Sequence, residues 1–277
     1  MSKRKIFIKL LISFGIIAVA AALIAVYFCL TPTVSSKFTI SSARNNEFYL
    51  TAHRGLSSVA PENSAPALEE AGKAGYYAAE FDIIPTKDGV WVLIHDDTVD
   101  RTMNGSGKVS DFTYAELSEM KIISGNGIEK YPDLKISTLE EALVICKKYS
   151  MRPMIEIKGG GPEDMQSVLD IINASGTAET SLIIDFNRDR LKALRALDSD
   201  IELWYLMNTL SDEMLEFAKA ENMGIGFNFG IPKNYTFIKK AKAEGITCAS
   251  WTVDFLPVLD LLSAFGVDYI TTNRIMP

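Results

Sequence analysis

The chain has 277 residues, of which 48% are hydrophobic and 23% are charged. This composition supplies enough apolar side chains for one large folded domain and excludes disorder over most of the chain. With 28 basic against 35 acidic residues the net charge is −7, which argues against a nucleic acid as the partner.

The chain opens with a basic tail and a long apolar segment. Four basic side chains lie within residues 1–9, and no charged residue occurs between Leu10 and Leu30. That run of about 21 residues is long enough to cross a bilayer as a helix, which takes about 20. Under the positive-inside rule the tail faces the cytoplasm, and everything after residue 30 lies on the other side of the membrane.

A cleaved signal peptide shows the same order of basic and apolar residues. However, the apolar run is longer than a signal peptide requires, no small-x-small cleavage site follows it, and Phe28 before Cys29 is too bulky for a lipoprotein attachment site. We therefore predict an uncleaved transmembrane helix over residues 10–30. The protein is then a single-pass protein of the cell membrane, with its main domain outside the cytoplasm.

Residues 31–46 (TPTVSSKFTISSARNN) are rich in Ser, Thr and Asn without regular periodicity, which is typical of a linker. From residue 47 onward, amphipathic helical stretches alternate with eight short apolar runs: FYLTAH, AAEFDII, MIEIK, SLIIDF, ELWYL, IGFNF, CASWTV and DYITT. This alternation predicts a (β/α)8 TIM barrel over residues 47–277. An open doubly wound sheet would alternate in the same way, but the count of eight and the lack of a glycine-rich turn after the first run favour the barrel.

Helix signals lie between the predicted strands. Ser64 is a predicted N-cap for a helix that ends before Gly75, and Ser137 or Thr138 can cap the helix LEEALVICKKY. Cys146 on an apolar helix stripe and Cys248 in a strand are predicted to be buried thiols, with a disulfide between them as the alternative.

One connection is too short to hold a helix. Only Thr86-Lys87-Asp88-Gly89 separates AAEFDIIP from WVLIHD, so we expect the second run to return antiparallel as a hairpin. A turn centred between Lys87 and Asp88 would place Glu80 opposite His95. Residues 97–137 then form a long connection with one short helix near residues 114–120, and such a connection at a barrel mouth shapes the substrate pocket.

The chain has only two histidines, and each begins a short polar motif. His53 and His95 are candidates for acid–base catalysis, because an unperturbed imidazole titrates near neutral pH. Glu80 and Asp82 lie between them in sequence and one residue apart, so on a strand their carboxylates point to the same side and can share a cation. Taken singly, each of these residues is more often structural.

In a barrel, side chains at the carboxyl ends of the strands gather at one mouth. Glu156, Lys158 and Trp251 would join the histidines there, and Glu80, Asp82 and Glu156 would offer three hard oxygen ligands to Mg²⁺ or Ca²⁺. Glu156 and Lys158 could instead form an exposed ion pair, and Trp251 could belong to the core.

Nine short motifs occur in an order and spacing typical of one family: His53-Arg54-Gly55, Pro61-Glu62-Asn63-Ser64, Glu80-Phe81-Asp82, Thr86-Lys87-Asp88-Gly89, His95-Asp96, Arg101-Thr102, Asn104-Gly105, Glu156-Ile157-Lys158 and Trp251-Thr252-Val253. They resemble the glycerophosphodiester phosphodiesterases, from about residue 50 to the C-terminus. The resemblance implies a phosphodiesterase on a phospholipase C-like β/α barrel.

The resemblance also implies roles for the site residues. Glu80, Asp82 and Glu156 match the metal ligands, and His53 and His95 match the acid–base pair. Arg54 and Lys158 match positions expected near the substrate phosphate, and Trp251 is a candidate for the pocket wall. Two departures from the family pattern, Asp254 and Asn273, are expected to change the shape of the pocket rather than the core chemistry.

The function that these observations favour is metal-dependent hydrolysis of glycerophosphodiesters to glycerol 3-phosphate and an alcohol. Phospholipase D-like cleavage of lysophospholipids is the related alternative, since an anchor would hold the mouth near lipid. An inactive barrel that serves as a binding or scaffold module would be expected to have lost carboxylates or histidines, and all five are present. A metal-free phospholipase C would not need the three carboxylates.

Overall fold

The structure is a computed structural model that describes residues 48–277. This range contains nine strands: β1 (Tyr49–Ala52), β2 (Ala78–Pro85), β3 (Trp91–Leu93), β4 (Arg152–Ile157), β5 (Leu182–Asp185), β6 (Glu202–Met207), β7 (Gly224–Asn228), β8 (Cys248–Trp251) and β9 (Tyr269–Thr272). It also contains eight α-helices: α1 (Ala65–Ala74), α2 (Tyr114–Glu119), α3 (Leu139–Lys148), α4 (Met165–Ser175), α5 (Arg188–Leu197), α6 (Asp212–Ala220), α7 (Asn234–Ala243) and α8 (Leu256–Ala264).

Eight of the strands form a closed parallel barrel. They follow the order β1, β2, β4, β5, β6, β7, β8 and β9, and β9 pairs with β1 again to close the ring. Each matches one of the eight runs in the sequence, so the predicted (β/α)8 barrel is confirmed and the open sheet is excluded. All eight carboxyl ends therefore meet at one mouth.

The ninth strand, β3, is the antiparallel return of a hairpin with β2, as the short connection predicted. The register was predicted wrongly by one residue, because Pro85 pairs with Trp91 and Ile83 with Leu93. The turn is longer than expected: the Thr86 amide donates to the Val90 carbonyl (2.9 Å). His95 consequently lies two residues beyond the last paired residue and is not opposite Glu80.

The core has two layers. Inside the barrel, large side chains from alternate strand positions fill the axis, among them Met154, Ile184, Trp204 and Tyr269. The opposite faces of the same strands pack against the helices in a second, larger cluster. Since inward and outward residues alternate along a strand, the polar residues at the top of the inward rows face the mouth.

Two helices, α1 and α3, start at capping residues that the sequence predicts. Ser64 caps α1, which ends at Gly75 in the left-handed conformation. Thr138, rather than Ser137, caps α3 and forms a capping box with Glu141. Cys146 and Cys248 are buried free thiols, so the disulfide alternative is excluded.

The long connection after β3 folds over its own small core. Val99, Met103, Leu117, Ile122 and Ile136 are buried in a cluster that also takes in side chains of the β2–β3 hairpin, such as Ile84 and Val92, and is distinct from the two layers of the barrel core. Helix α2 lies within this connection, one residue shorter than the predicted 114–120. The connection is therefore ordered structure beside the mouth.

The predicted tail (1–9), transmembrane helix (10–30) and linker (31–46) lie outside the described residues. Within residues 48–277, no helix combines the length and apolar character needed to cross a membrane.

Candidate active site

Three buried carboxylates meet at the mouth of the barrel. Glu80 and Asp82 point inward from β2, and Glu156 points inward from β4, where it pairs in register with Asp82. One oxygen from each of the three lies within 4.8 Å of the others, and the residues are only 2%, 1% and 9% exposed, respectively. The structure thus brings together the three acidic residues predicted to share a cation.

This cluster is electrostatically costly without a cation. Burial, together with the neighbouring carboxylates, raises the pKa of Glu80 well above its usual value. The same two causes raise the pKa of Glu156 to about 7. Glu80 and Glu156 therefore resist ionisation in this cluster.

The donor set fits a hard divalent cation. Glu80 Oε1 is buried and makes no hydrogen bond within the described structure, although buried carboxylate oxygens are normally satisfied. Three carboxylates with oxygen donors this close together are the ligands that Mg²⁺ and Ca²⁺ prefer. Glu80, Asp82 and Glu156 can therefore hold such an ion.

Two basic side chains border the carboxylates. Lys158 Nζ lies 2.5 Å from Glu156 Oε1 and 3.5 Å from Asp82 Oδ1, and Arg54 Nε lies 3.5 Å from Asp82 Oδ2. Burial alone would lower the pKa of Lys158, but Glu156 and Asp82 raise it. The ion pair considered for Glu156 and Lys158 does form, but inside the mouth rather than on an exposed face.

A buried ion pair holds the backbone around Lys158. Arg190, on α5, pairs at 2.6 Å with Asp185, the last residue of β5, which is fully buried. The same guanidinium donates to the carbonyls of Ile157 (3.0 Å) and Gly160 (3.1 Å). These bonds hold the backbone on both sides of Lys158. The Lys158 side chain, just past the end of β4, is therefore held in position beside the carboxylates.

The His-Arg-Gly motif is a tight turn between β1 and the carboxylates. Arg54 has a positive φ of 56°, and its amide donates to Glu80 Oε2 at 2.8 Å. Gly55 follows with φ of 74°, and a Cβ there would lie 2.6 Å from the Ala67 backbone of α1. Only glycine fits at that position. The tight turn of the motif places the Arg54 amide in hydrogen-bonding contact with Glu80, a candidate metal ligand.

His53 lies at the end of β1, next to the end of β9. Its amide donates to the Thr272 carbonyl (2.8 Å), and its Nδ1 lies 2.8 Å from Asn273 Oδ1. Burial, together with the positive charge of Arg54, lowers the pKa of His53 below its usual 6.5. The imidazole is therefore neutral at pH 7 and able to accept a proton.

His95 reaches the same mouth from the hairpin. The neighbouring Ile94 amide donates to the Asp82 carbonyl (3.1 Å), and His95 Nδ1 lies 2.7 Å from Asp96 Oδ1. Asp96 is also bonded by Arg101 (2.5 Å). The Arg101 hydrogen bond, followed by that of His95, lowers the pKa of Asp96 to about 2. Asp96 is therefore ionised at neutral pH and can pair with a protonated His95.

Aromatic residues form another part of the mouth. Trp251 ends β8 and makes an edge-to-face contact with Phe186 at 5.8 Å between ring centroids. Phe186 is 42% exposed, and its ring lies 5.8 Å from Lys158 Nζ. Gly226 makes room for Trp251, because a Cβ there would lie 2.8 Å from its ring. Trp251 is thus half-buried beside the cluster, between core and pocket.

Sequence reasoning assigned no role to several residues that support this site. Asn63 donates to Asp82 Oδ2 (2.8 Å) and accepts from the Asp82 amide (3.0 Å). Glu62 joins Arg54 (2.8 Å) to Arg101 (2.7 Å). Both residues belong to the motif Pro61-Glu62-Asn63-Ser64. The sequence identifies this segment as part of the family pattern, but the hydrogen-bond partners of Glu62 and Asn63 are visible only in the structure.

The two departures noted in the sequence also lie at the site. The sequence predicts that Asp254 and Asn273 change the shape of the pocket rather than the core chemistry, and this stays a prediction. In the structure Asn273 contacts His53, and Asp254 accepts a hydrogen bond from the Asn273 side chain at 2.6 Å. The loops after β8 and β9, which are neighbours in the barrel, bring these residues together.

Carboxylates and histidines at the carboxyl ends of parallel barrel strands define a class, the barrel enzymes that carry out catalysis at that mouth. Comparison with known sequences narrows the class. The family model of the glycerophosphoryl diester phosphodiesterases matches residues 53–276, and the chain belongs to this family of phosphodiesterases.

Relatives with this activity in their names span most of the chain. It is 31% identical to a glycerophosphodiester phosphodiesterase from Caldanaerobacter subterraneus, over 80% of this chain and 92% of the relative. It is 38% identical to glycerophosphodiester phosphodiesterase 1 from Bos taurus, over 81% and 77%. A phosphodiesterase structure from Oleispira antarctica, in complex with the product sn-glycerol-3-phosphate, superposes with a TM-score of 0.77 at 25% identity, covering 82% of this chain and 93% of that one.

Proposed function

We propose that the protein hydrolyses glycerophosphodiesters to glycerol 3-phosphate and an alcohol, with a divalent cation and two histidines. The observation that carries the proposal is the meeting of the carboxylate cluster with two differently paired imidazoles at one barrel mouth. The relative from Oleispira antarctica that holds sn-glycerol-3-phosphate supports the choice of product.

The two histidines suit opposite halves of the reaction. His53 is neutral at pH 7, because burial and Arg54 lower its pKa, so we assign it as the base that removes a proton from the water that attacks phosphorus. We assign His95 as the acid that protonates the leaving alcohol, since the Asp96 carboxylate at 2.7 Å compensates the charge of a protonated imidazole. Hydrolysis needs both steps.

The phosphate needs positive charge around its oxygens. We assign Arg54 and Lys158 to this task, because both lie at the edge of the carboxylate cluster and are half-buried. Glu80, Asp82 and Glu156 would hold Mg²⁺ or Ca²⁺. When bound, that cation supplies charge neutralisation to the phosphodiester anion. Trp251 would form the wall of the pocket.

The test uses the full-length chain and measures glycerol 3-phosphate released from glycerophosphocholine and related diesters. Activity should disappear with EDTA and return with Mg²⁺ or Ca²⁺. His53→Ala and Glu80→Gln should lower the rate by about 10²–10⁴-fold, whereas Glu213→Gln, an exposed glutamate on α6, should not. Equal rates with and without EDTA would refute the metal, and no release from any diester would refute the substrate class.

Lysophospholipids are the second candidate substrate, and the exposed ring of Phe186 favours them. An apolar side chain that is 42% exposed beside the site can contact an acyl chain. Release of a lysophosphatidic acid from lysophosphatidylcholine, faster than glycerol 3-phosphate from glycerophosphocholine, would favour this substrate.

We propose that residues 10–30 anchor the protein in the cell membrane, with the barrel on the extracytoplasmic side and residues 31–46 as the linker. The support is the uncharged segment behind a basic tail. The full chain should fractionate with membranes, and replacement of two central apolar residues of the segment by lysine should release it. Protease added outside intact cells should cut the barrel domain. Protection of that domain would indicate the opposite orientation, with the barrel in the cytoplasm.

A further inference from the structure

His53 and His95 have different partners at Nδ1. His95 faces the carboxylate of Asp96, whereas His53 faces the neutral side-chain amide of Asn273, 2.8 Å away. An amide can present either its oxygen, which accepts, or its nitrogen, which donates. Which of the two faces His53 decides which ring nitrogen carries the proton.

Asp254 fixes the direction of that amide. Its Oδ2 accepts from Asn273 Nδ2 at 2.6 Å, and its Oδ1 accepts from the Asn273 backbone amide at 2.8 Å and from Thr272 Oγ1 at 3.0 Å. A carboxylate only accepts hydrogen bonds, so the NH₂ group of Asn273 must face Asp254. The reversed amide would set two oxygens against each other.

With its nitrogen turned to Asp254, Asn273 presents Oδ1 to His53. This oxygen also accepts from Ser57 Oγ at 3.0 Å, a contact that is compatible with this direction because a hydroxyl can donate or accept. An amide oxygen has no proton to give, so His53 Nδ1 must be the donor. The lone pair of a neutral His53 is then on Nε2, the ring nitrogen directed away from Asn273.

We propose that Asn273, held by Asp254, is a positioning residue that fixes His53 as its Nδ1–H tautomer and so keeps Nε2 free to accept a proton. The inference rests on the proposed function only in giving His53 the role of base. The tautomer itself follows from the hydrogen bonds. The two residues thereby act on the reaction through His53.

The tautomer can be read directly, because the chain has only two histidines. The full-length protein is labelled with ¹⁵N-histidine, and the ring nitrogens are recorded by NMR above the titration range of both imidazoles. His53→Gln identifies which signals belong to His53. We expect its Nδ1 to be protonated and its Nε2 to be unprotonated, the opposite of the form that free histidine favours. A protonated Nε2 with an unprotonated Nδ1 would overturn the proposal.

Three variants separate positioning from a structural role. Asn273→Leu removes the acceptor, so His53 should lose its single tautomer and kcat should fall about 10- to 100-fold, with KM nearly unchanged. Asn173→Leu, on the exposed face of α4, is the matched control and should change neither. In the exchanged variant, Asp254→Asn with Asn273→Asp, an acceptor oxygen faces Nδ1 again, so Nδ1 protonation and most of kcat should return.

The NMR outcome is independent of the proposed substrate. If no diester is hydrolysed, the NMR measurement still confirms or refutes the tautomer, so the two proposals can fail separately. Retention of the Nδ1–H tautomer and of full kcat in Asn273→Leu would overturn the positioning role. An exchanged variant no better than Asn273→Leu would do the same, provided that both unfold at the wild-type temperature.

Discussion

Replacing Glu156 by glutamine should stabilise the metal-free protein. The carboxylate is buried among other carboxylates, its side chain only 11% exposed, and its pKa is raised from 4.5 to about 7. Because the folded-state pKa is the higher one, the fold favours the protonated acid. This contribution to stability is fully present below pH 4.5 and is lost as the pH rises through 7.

The size of the effect follows from the pKa. The difference between the ordinary pKa of 4.5 and the folded value of about 7 costs about 3 kcal/mol of folding free energy once the pH exceeds 7. Glutamine mimics the protonated acid at every pH, and its oxygen can still accept from Lys158. For a domain of this size, about 3 kcal/mol raises Tm by about 6 to 12 °C.

The assay is thermal unfolding of the full-length chain in EDTA, at about pH 8 and about pH 4.5, with Glu213→Gln as the matched control. Glu156→Gln should exceed wild type at the higher pH and equal it at the lower one. Added Mg²⁺ or Ca²⁺ should stabilise wild type more than the variant. A variant that is less stable than wild type at the higher pH, or one stabilised equally at both, would refute the electrostatic reasoning.

Three further substitutions test other parts of the site. Asp96→Asn removes the carboxylate beside His95 and should lower the turnover of glycerophosphocholine by about 10- to 100-fold, while the thermal stabilisation by the metal is kept; loss of both would point to a structural role. Gly226→Val pushes a side chain into the ring of Trp251 and should destabilise the fold by about 1–3 kcal/mol, measured by urea unfolding, so wild-type stability would contradict the packing described. Phe186→Ala should raise KM for lysophosphatidylcholine and leave KM for glycerophosphocholine unchanged. Equal changes in the two KM values would show that Phe186 does not contribute to acyl-chain recognition.

The fold was predictable because its signals are local. Each barrel strand is a short apolar run between helix signals, and the period of two along a strand places Glu80 and Asp82 on the same side without knowledge of the whole. A parallel barrel then brings Glu156 beside them, since equivalent ends of neighbouring strands meet at the mouth. The carboxylate cluster therefore required only the strand pattern and the fold class.

The details that failed depend on side chains that close loops. The hairpin register differs by one residue because Thr86 Oγ1 donates to Asp88 Oδ1 (2.6 Å) and accepts from the Val90 amide (3.0 Å), which closes a turn longer than counting suggests. The contact of Asn273 with His53 joins residues 220 positions apart. No local pattern encodes such a contact, because it follows from the closure of β9 onto β1.

The charges at the mouth predict that metal and anion bind cooperatively. When ionised, Glu80, Asp82 and Glu156 carry three negative charges, of which Arg54 and Lys158 compensate two. A divalent cation makes the group positive by one charge, and a phosphate ester carrying one negative charge brings it to neutrality. Before the metal binds, Lys158 is committed to Glu156 at 2.5 Å and to Asp82 at 3.5 Å, so an anion meets a lysine that is already paired.

Coupling of this kind is reciprocal: if the metal strengthens product binding, the product must strengthen metal binding by the same factor. For a divalent cation, which adds two positive charges within a buried site, we expect about 5- to 150-fold, the usual range of coupling between sites. Calorimetry of the full-length chain with Mg²⁺ or Ca²⁺, with and without glycerol 3-phosphate, measures the factor in both directions. Lys158→Met should lower it, because one of the two compensating charges is lost, while the metal alone binds at least as well. Equal affinities for glycerol 3-phosphate in EDTA and in the presence of the metal would contradict this coupling. The charge of the carboxylate cluster would then not control phosphate binding.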